Sequence, residues 1–215
     1  MPHIASVNVA ATARTGDWTG TVGRSGIDKR PVTGPVHVNW DGLADDTICD
    51  RKHHGGLDRA VYAFASDDYS YWEENLQRAL PPGSFGENLT TAGIDLNSAR
   101  LGEQWAVGTA VLEIAAPRIA CRVFAGYWDV PDLIRHFTER GRPGAYLRVI
   151  VEGEITVSDD IRALRQPDMI TVGDAFRAMT ADPALLPRLA EAAEYLPTDI
   201  RVKTDRRLAR FPAQK

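Results

Sequence analysis

Short β-type runs separated by glycine and proline fill the chain up to about residue 165: Ile4 to Ala10, Pro35 to Val38, Ala60 to Ala65, Gln104 to Val107, Ala110 to Ala115, Ala145 to Val151 and Glu154 to Val157. Runs with this punctuation read as strands, and their spacing predicts a β-barrel or sandwich. Two helices interrupt them. One spans Asp67 to Arg78, capped by Ser66, with an apolar stripe Tyr69, Trp72 and Leu76. The other spans Pro131 to Arg140, capped by Asp129, with Leu133, Ile134 and Phe137 inward and Gly141 placed to end it. After Pro167 the pattern changes to three short helical units, opened by Thr171 with Asp174, by Asp182 with Pro183, and by Thr198. None is long enough to be stable alone, so each must bury its stripe against its neighbours or the barrel. The expected fold class is therefore α+β, mainly β: a barrel core over residues 1–165 and a small helical appendage over 166–215.

With 215 residues, 44% of them hydrophobic, the chain can bury an ordinary core without disulfides. Its 25 Lys+Arg against 29 Asp+Glu leave a net charge of −4, which argues against a protein that coats nucleic acid. Two cysteines, Cys49 and Cys121, are too few for a secreted disulfide scaffold and point to reduced thiols in the cytosol. Met1 to Thr12 lacks a basic n-region, and no run reaches ~18 apolar residues. The expectation is a cytoplasmic chain, neither exported by a standard signal nor inserted in a membrane. Ile200 to Lys215 is basic, with Arg201, Lys203, Arg206, Arg207, Arg210 and Lys215 against Asp205 alone. It reads as a solvated helix face or as a contact for an acidic partner.

Three segments are richer in unusual residues than folding requires. In Arg51 to Arg59, the glycines Gly55 and Gly56 permit a ligand to approach backbone while Lys52, His53, His54 and Arg59 offer donors to an anion; a polar tight turn is the plain alternative. In Gly83 to Leu89, Phe85 and Leu89 look like anchors, and Asn88 either reads the edge of a heterocycle or satisfies its own backbone. In Pro117 to Arg122, Cys121 lies between Arg118 and Arg122, a field that favours thiolate, the form that attacks as a nucleophile or binds a soft metal. Cys49 has Asp50 beside it and reads as structural or incidental.

Taken in order, these segments resemble the MOSC family, the domain type at the C-terminus of molybdenum cofactor sulfurases, in its YiiM-like branch. The matching text is Gly26-Ile27-Asp28-Lys29-Arg30-Pro31-Val32, Gly42-Leu43 with Asp46, Lys52 to Val61, Phe85-Gly86-Glu87-Asn88-Leu89, Leu101-Gly102-Glu103, and Pro117-Arg118 with Cys121. The helical tail is similar to the three-helix extension of that branch. The resemblance implies a MOSC-type barrel holding a molybdenum cofactor (Mo-molybdopterin), a pterin with an ene-dithiolate on the metal and a terminal phosphate. Cys121 matches the cysteine that adds a thiolate to the metal, which suits a thiophilic ion. Lys29, Arg30, Lys52, Arg59 and Arg118 would then meet phosphate and pterin, with His54, Gly55 and Asn88 as pocket walls.

The implied activity is reduction of N-hydroxylated compounds, hydroxylamino bases or amidoximes, the oxygen being removed from N–O by Mo(IV). His53, His54 and Asp58 are the proton donors to test. The chain has no cysteine cluster for iron–sulfur and no Gly-x-Gly-x-x-Gly loop, so electrons must come from a separate donor of flavodoxin or ferredoxin type. The alternative is a cofactor or sulfur carrier without turnover of its own. A zinc hydrolase built from Cys49, His53, His54 and Asp58, and an RNA-binding barrel, are lesser readings. A homodimer is the assembly to test. Two departures from the family stand out: Asp45 replaces a usual glycine, adding charge near the anion site unless it points away, and Ala120 stands where proline is common.

Overall fold

Residues 1–210 are described by the structure, a computed structural model, apart from the side chain of Lys52. Each of the seven expected runs overlaps a strand. The β elements are β1 (His3–Val9), β2 (Arg30–Pro31), β3 (Val36–Asn39), β4 (Gly42–Leu43), β5 (Val61–Ala65), β6 (Leu89–Ala92), β7 (Gln104–Val107), β8 (Ala110–Pro117), β9 (Ala145–Val151), β10 (Gly153–Ile155) and β11 (Ile161–Arg165). Four of these lay outside the expectation. β2 and β4 are two residues each, too short for periodicity to register. In β6 the polar Thr90 and Thr91 are buried, which hides the strand, and β11 exposes every residue after Ile161.

Eight strands form one sheet in the order β11-β7-β8-β9-β5-β6-β1-β2. Only the β5–β6 neighbours run parallel. A bridge from His3 to Asp160, with backbone bonds Ile4 N to Asp159 O (2.9 Å) and Ser158 N to Ile4 O (2.8 Å), ties β1 to the segment leading into β11. The outer parts of the ladder are thereby joined, and the sheet curls round its interior without a continuous closing ladder. β10, β3 and β4 make a separate three-stranded sheet.

Helices flank the sheets: α1 (Arg51–His54), α2 (Tyr69–Leu76), α3 (Arg122–Trp128), α4 (Leu133–Arg140), α5 (Val172–Thr180), α6 (Leu186–Glu191) and α7 (Thr198–Arg210). Three expected helix starts are corrected. Ser66 lies in a 3-10 turn and makes no side-chain cap bond, so α2 begins at Tyr69. Asp129 does not open α4; it closes α3 in a left-handed conformation, φ 50°, and α4 follows from Leu133. Thr198 is the first residue of α7. α3 itself was not anticipated, because Arg-Val-Phe-Ala-Gly-Tyr-Trp is rich in β-formers and aromatics; burial of Phe124 and Trp128, four residues apart, makes it a helix. The other ends agree with the reading. Gly141 ends α4 at φ 67°, Thr171 Oγ1 accepts from Asp174 N at 3.1 Å, and Asp182 accepts from Ala184 N.

Two hydrophobic clusters meet in this fold. The aliphatic one joins Ile4, Val7, Val61, Leu112, Ile114 and Leu147 of the sheet to Val172, Leu189 and Ile200 of the last helices. Each such side chain contributes about 1.5–3 kcal/mol by burial, which is how three helices too short to stand alone become stable. The second cluster is aromatic: Phe64 stacks on Phe85 at 4.2 Å between centroids, and Trp72, Phe124, Trp128 and Phe137 complete it.

Candidate functional site

A recess of about 100 Å³ opens where the loops after β1 and β4, the loop leading into β6 and the turn after β8 converge with α1. One wall is built on Asp46. That carboxylate pairs with the buried Lys29 and accepts from Ala10 N at 2.8 Å and Asn88 Nδ2 at 2.9 Å. Asn88 also accepts from Tyr62 N and donates to Asn8 O, so its amide is committed to holding the wall. Burial lowers the Lys29 ammonium against the pull of Asp46, and the cation is internally neutralised.

The loop carrying Asn88 is wrapped round a second carboxylate. Glu87 is fully buried and accepts from Gly83 N (2.8 Å), Phe85 N (3.0 Å), Thr90 Oγ1 (2.8 Å) and the Tyr69 hydroxyl. Burial raises its pKa despite these donors. Gly86 sits at φ 75°, with Ile27 Cγ1 only 3.1 Å from where a Cβ would stand, so this turn requires glycine.

The other wall belongs to Arg118, just past the end of β8. The residue is 4% exposed, its guanidinium 4.5 Å above the Phe124 ring and 5.0 Å above Tyr62. Among the described residues no carboxylate pairs with it, and its Nη1 is buried without a hydrogen-bond partner. Burial works against this charge, but the Tyr62 and Tyr146 phenols and the Cys121 thiol outweigh it and raise the pKa. Cys121, three residues on, precedes α3 and lines the same recess. His54 Nδ1 lies 3.1 Å from the Tyr146 hydroxyl. Burial first, then the Arg118 charge, push the His54 pKa down to about 4, so its imidazole is neutral at pH 7.

Of the residues singled out in the sequence, Lys29, His54, Arg59, Asn88, Arg118 and Cys121 line this recess together. Arg30 instead pairs with Asp28 at 2.7 Å, exposed. His53 turns to Asp50 at 3.0 Å, and Asp58 pairs with Arg148 at 2.9 Å; neither is among the lining residues. Gly55 is buried where a Cβ would stand 3.1 Å from Ile48 Cγ2, a packing role. The side chain of Lys52, and Lys215 of the basic tail, lie outside the described residues. Asp45 is exposed at φ 61° and does not line the recess. Its charge points away, and the conformation is one that glycine adopts freely.

Sequence reasoning missed Cys49, which lines the recess with Cys121, and the paired phenols Tyr62 and Tyr146. Cys49 follows Asp46 by three residues in the same wall segment, a signal that was present but outweighed by its acidic neighbour. Residues 14–25 also cover the recess through Thr19, Val22 and Arg24; Arg14 and Ser25 bridge their ends. Trp18 from this strap seats against Gly126, where a Cβ would come within 2.6 Å of the Trp18 Cβ. Among the described residues no three of His, Cys, Asp and Glu are grouped to hold a metal, which leaves the zinc-hydrolase set without a site.

A sheet fold with a recess that presents a thiol beside an uncompensated buried guanidinium is the setting in which the comparisons with known proteins fall. The family model for the MOSC domain matches residues 50–162, and the chain belongs to that family. Within it the chain falls in the YiiM-like branch. It is 31% identical over 151 residues to "Uncharacterized protein YflK" of Bacillus subtilis (strain 168), covering 70% of this chain and 68% of that one. It is 28% identical over 155 residues to "Protein YiiM" of Escherichia coli (strain K12), covering 70% and 69%. A protein of Gibberella moniliformis named "Reductase" is 30% identical over 186 residues, 82% of this chain but 32% of that longer one. The crystal structure of YiiM from Geobacillus stearothermophilus superposes with a TM-score of 0.80 at 27% identity, over 97% of this chain and 100% of that one. No helix among the described residues is long and apolar enough to cross a membrane.

Proposed function

We propose that the protein is a molybdenum-cofactor-dependent reductase of N-hydroxylated compounds, hydroxylamino bases or amidoximes. The observation that carries this reading is Arg118: a guanidinium buried with no counter-ion among the described residues, one donor left unpaired, in a recess also lined by a thiol. An anion would answer such a group better than ring faces alone, and a phosphate-bearing, sulfur-ligated cofactor supplies both matching chemistries. Cys121 Sγ would be the protein's ligand to the metal, Arg118 and Arg59 would meet the anionic part, and the Asn88–Asp46–Lys29 wall would shape the pterin side. Bound there, the cofactor would supply the two-electron chemistry that removes oxygen from an N–O bond.

The chain's own contribution is binding, orientation and proton placement. His54, neutral at pH 7, can accept or donate a hydrogen bond through one ring nitrogen while Tyr146 engages the other. Of the nominated donors it is the one lining the recess. The strap of residues 14–25 covers one side of the recess. Electrons would come from a separate donor protein, of flavodoxin or ferredoxin type; Arg207 is turned inward onto the Ala178 and Met179 carbonyls, so a docking face on α7 would rest on Arg206 and Arg210. The homologue named a reductase supports the reaction class.

The test is molybdenum per chain, wild type against Cys121→Ala, after expression in a host that makes the cofactor, followed by reduction of a hydroxylamino base with a chemical electron source. Stoichiometric metal lost in a folded mutant, with turnover in the wild type, is the expected result. Metal without turnover would replace the reductase by a carrier; metal retained by the mutant would remove Cys121 from its role.

A further inference from the structure

We infer that Asp199, on the first turn of α7, is a positioning residue for the recess: it holds the Arg59 guanidinium at the rim, aimed at the anionic part of whatever the recess binds. This rests on the anion-binding reading of the recess given above. Arg59 lines the recess with its side chain only 12% exposed, and its Nη2 donates to Asp199 Oδ1 at 2.6 Å across 140 positions of sequence. Among the described residues none after Tyr146 lines the recess, and this ion pair joins the last helices to a side chain that does.

The pair is not needed to seat α7. Ile200 is buried in the aliphatic cluster, and two turns further on Arg207 Nη1 donates to the carbonyls of Ala178 and Met179 at the end of α5. What the pair does fix is a long side chain with many rotamers. One of the five donors of Arg59 is spent on Asp199, and the rest of the planar fork is pre-oriented. Partial burial by itself would raise the Asp199 carboxyl; the hydrogen bond and charge of Arg59 reverse this and keep it ionised.

The sign of one mutational effect separates positioning from plain electrostatics. Asp199→Asn removes a negative charge near the anion site, which by Coulomb's law alone should tighten anion binding. If Asp199 positions Arg59, the same change weakens it, by about tenfold, the lower end of what removing an orienting partner costs. The probe is inorganic phosphate, titrated calorimetrically into the full chain produced without cofactor, with molybdenum content in a cofactor-making host as the second readout. Expected are weaker phosphate binding and less metal in Asp199→Asn, recovery in Asp199→Glu, and wild-type values in Arg207→Ala, which loosens α7 without touching Arg59. Unchanged or tighter binding in Asp199→Asn, while Arg59→Ala loses it, overturns the positioning role and leaves the anion site standing. A loss in Arg207→Ala equal to that in Asp199→Asn also overturns it, since any loosening of α7 would then suffice. Phosphate binding that is absent, or indifferent to both Arg59→Ala and Arg118→Ala, overturns the anion site and this inference with it.

Discussion

Two buried cations line one recess, and the fold treats them in opposite ways. Lys29 is neutralised by Asp46, whose carboxylate is further satisfied by Ala10 N and the Asn88 amide; Arg118 rests on aromatic faces with one unpaired donor and, among the described residues, no carboxylate. Burying a charge costs several kcal/mol unless it is paired. The Lys29 wall meets that cost within the protein, so it is architecture. The Arg118 wall leaves it partly unmet, held by ring faces worth about 0.5–2 kcal/mol each, and so is the side of the recess at which a ligand's anion belongs.

The sharpest way to break this comparison is to neutralise each cation with a near-isosteric apolar chain. Lys29→Met strands the buried Asp46 carboxylate and should cost about 3–5 kcal/mol in urea unfolding. Arg118→Met strands no carboxylate among the described residues, only contacts to the Tyr62 and Tyr146 phenols and the ring faces, and should cost clearly less stability than Lys29→Met, yet abolish phosphate and molybdenum binding. Equal destabilisation by both would mean that Arg118 is structural too.

Next in size is the pH dependence that His54 brings to the Arg118 wall. Its imidazole is neutral in the fold down to about pH 4, whereas in the unfolded chain it takes a proton below about 6.5. The unfolded state therefore gains protons first, and stability falls as pH drops from about 6.5 to 4, by up to about 3 kcal/mol, then levels from this group. His54→Gln should remove that slope; a slope unchanged in the mutant would assign it elsewhere. Gly126→Ala, on α3 behind Cys121, should unseat Trp18 at about 1–2 kcal/mol and speed alkylation of Cys121, with no effect at Cys49 expected from the same contact. Smallest is Asp45→Gly beside the Lys29 wall, expected to raise stability by about 0.5–1 kcal/mol because φ 61° suits glycine, while leaving molybdenum content unchanged. A gain in metal would place the Asp45 charge in the site after all.

Much of this was legible in the chain. The seven runs became strands because alternation and turn residues are local properties, and Gly141, Thr171 and Asp182 marked helix ends through bonds spanning no more than four residues. The dense segments at His54, Asn88 and Cys121 did converge on one recess. The strand β6 escaped notice because its buried threonines look like loop, and α3 because burial at Phe124 and Trp128 overrode an aromatic, β-prone stretch. The amide of Asn88 could have read a heterocycle or held a wall; only its bonds to Tyr62 N, Asn8 O and Asp46 decided for the wall.

The sequence by itself determined the mainly-β class, the helical ending and the kinds of side chain available for an anion and a soft metal. It did not determine which cation would be left over. Lys29 finds its carboxylate 17 positions away, Arg59 finds its partner 140 positions away, and Arg118 finds no carboxylate among the described residues. Charge pairing inside a protein is set by which distant strands and helices come within a few ångströms, where low dielectric makes each neighbour count, and no local pattern encodes that outcome.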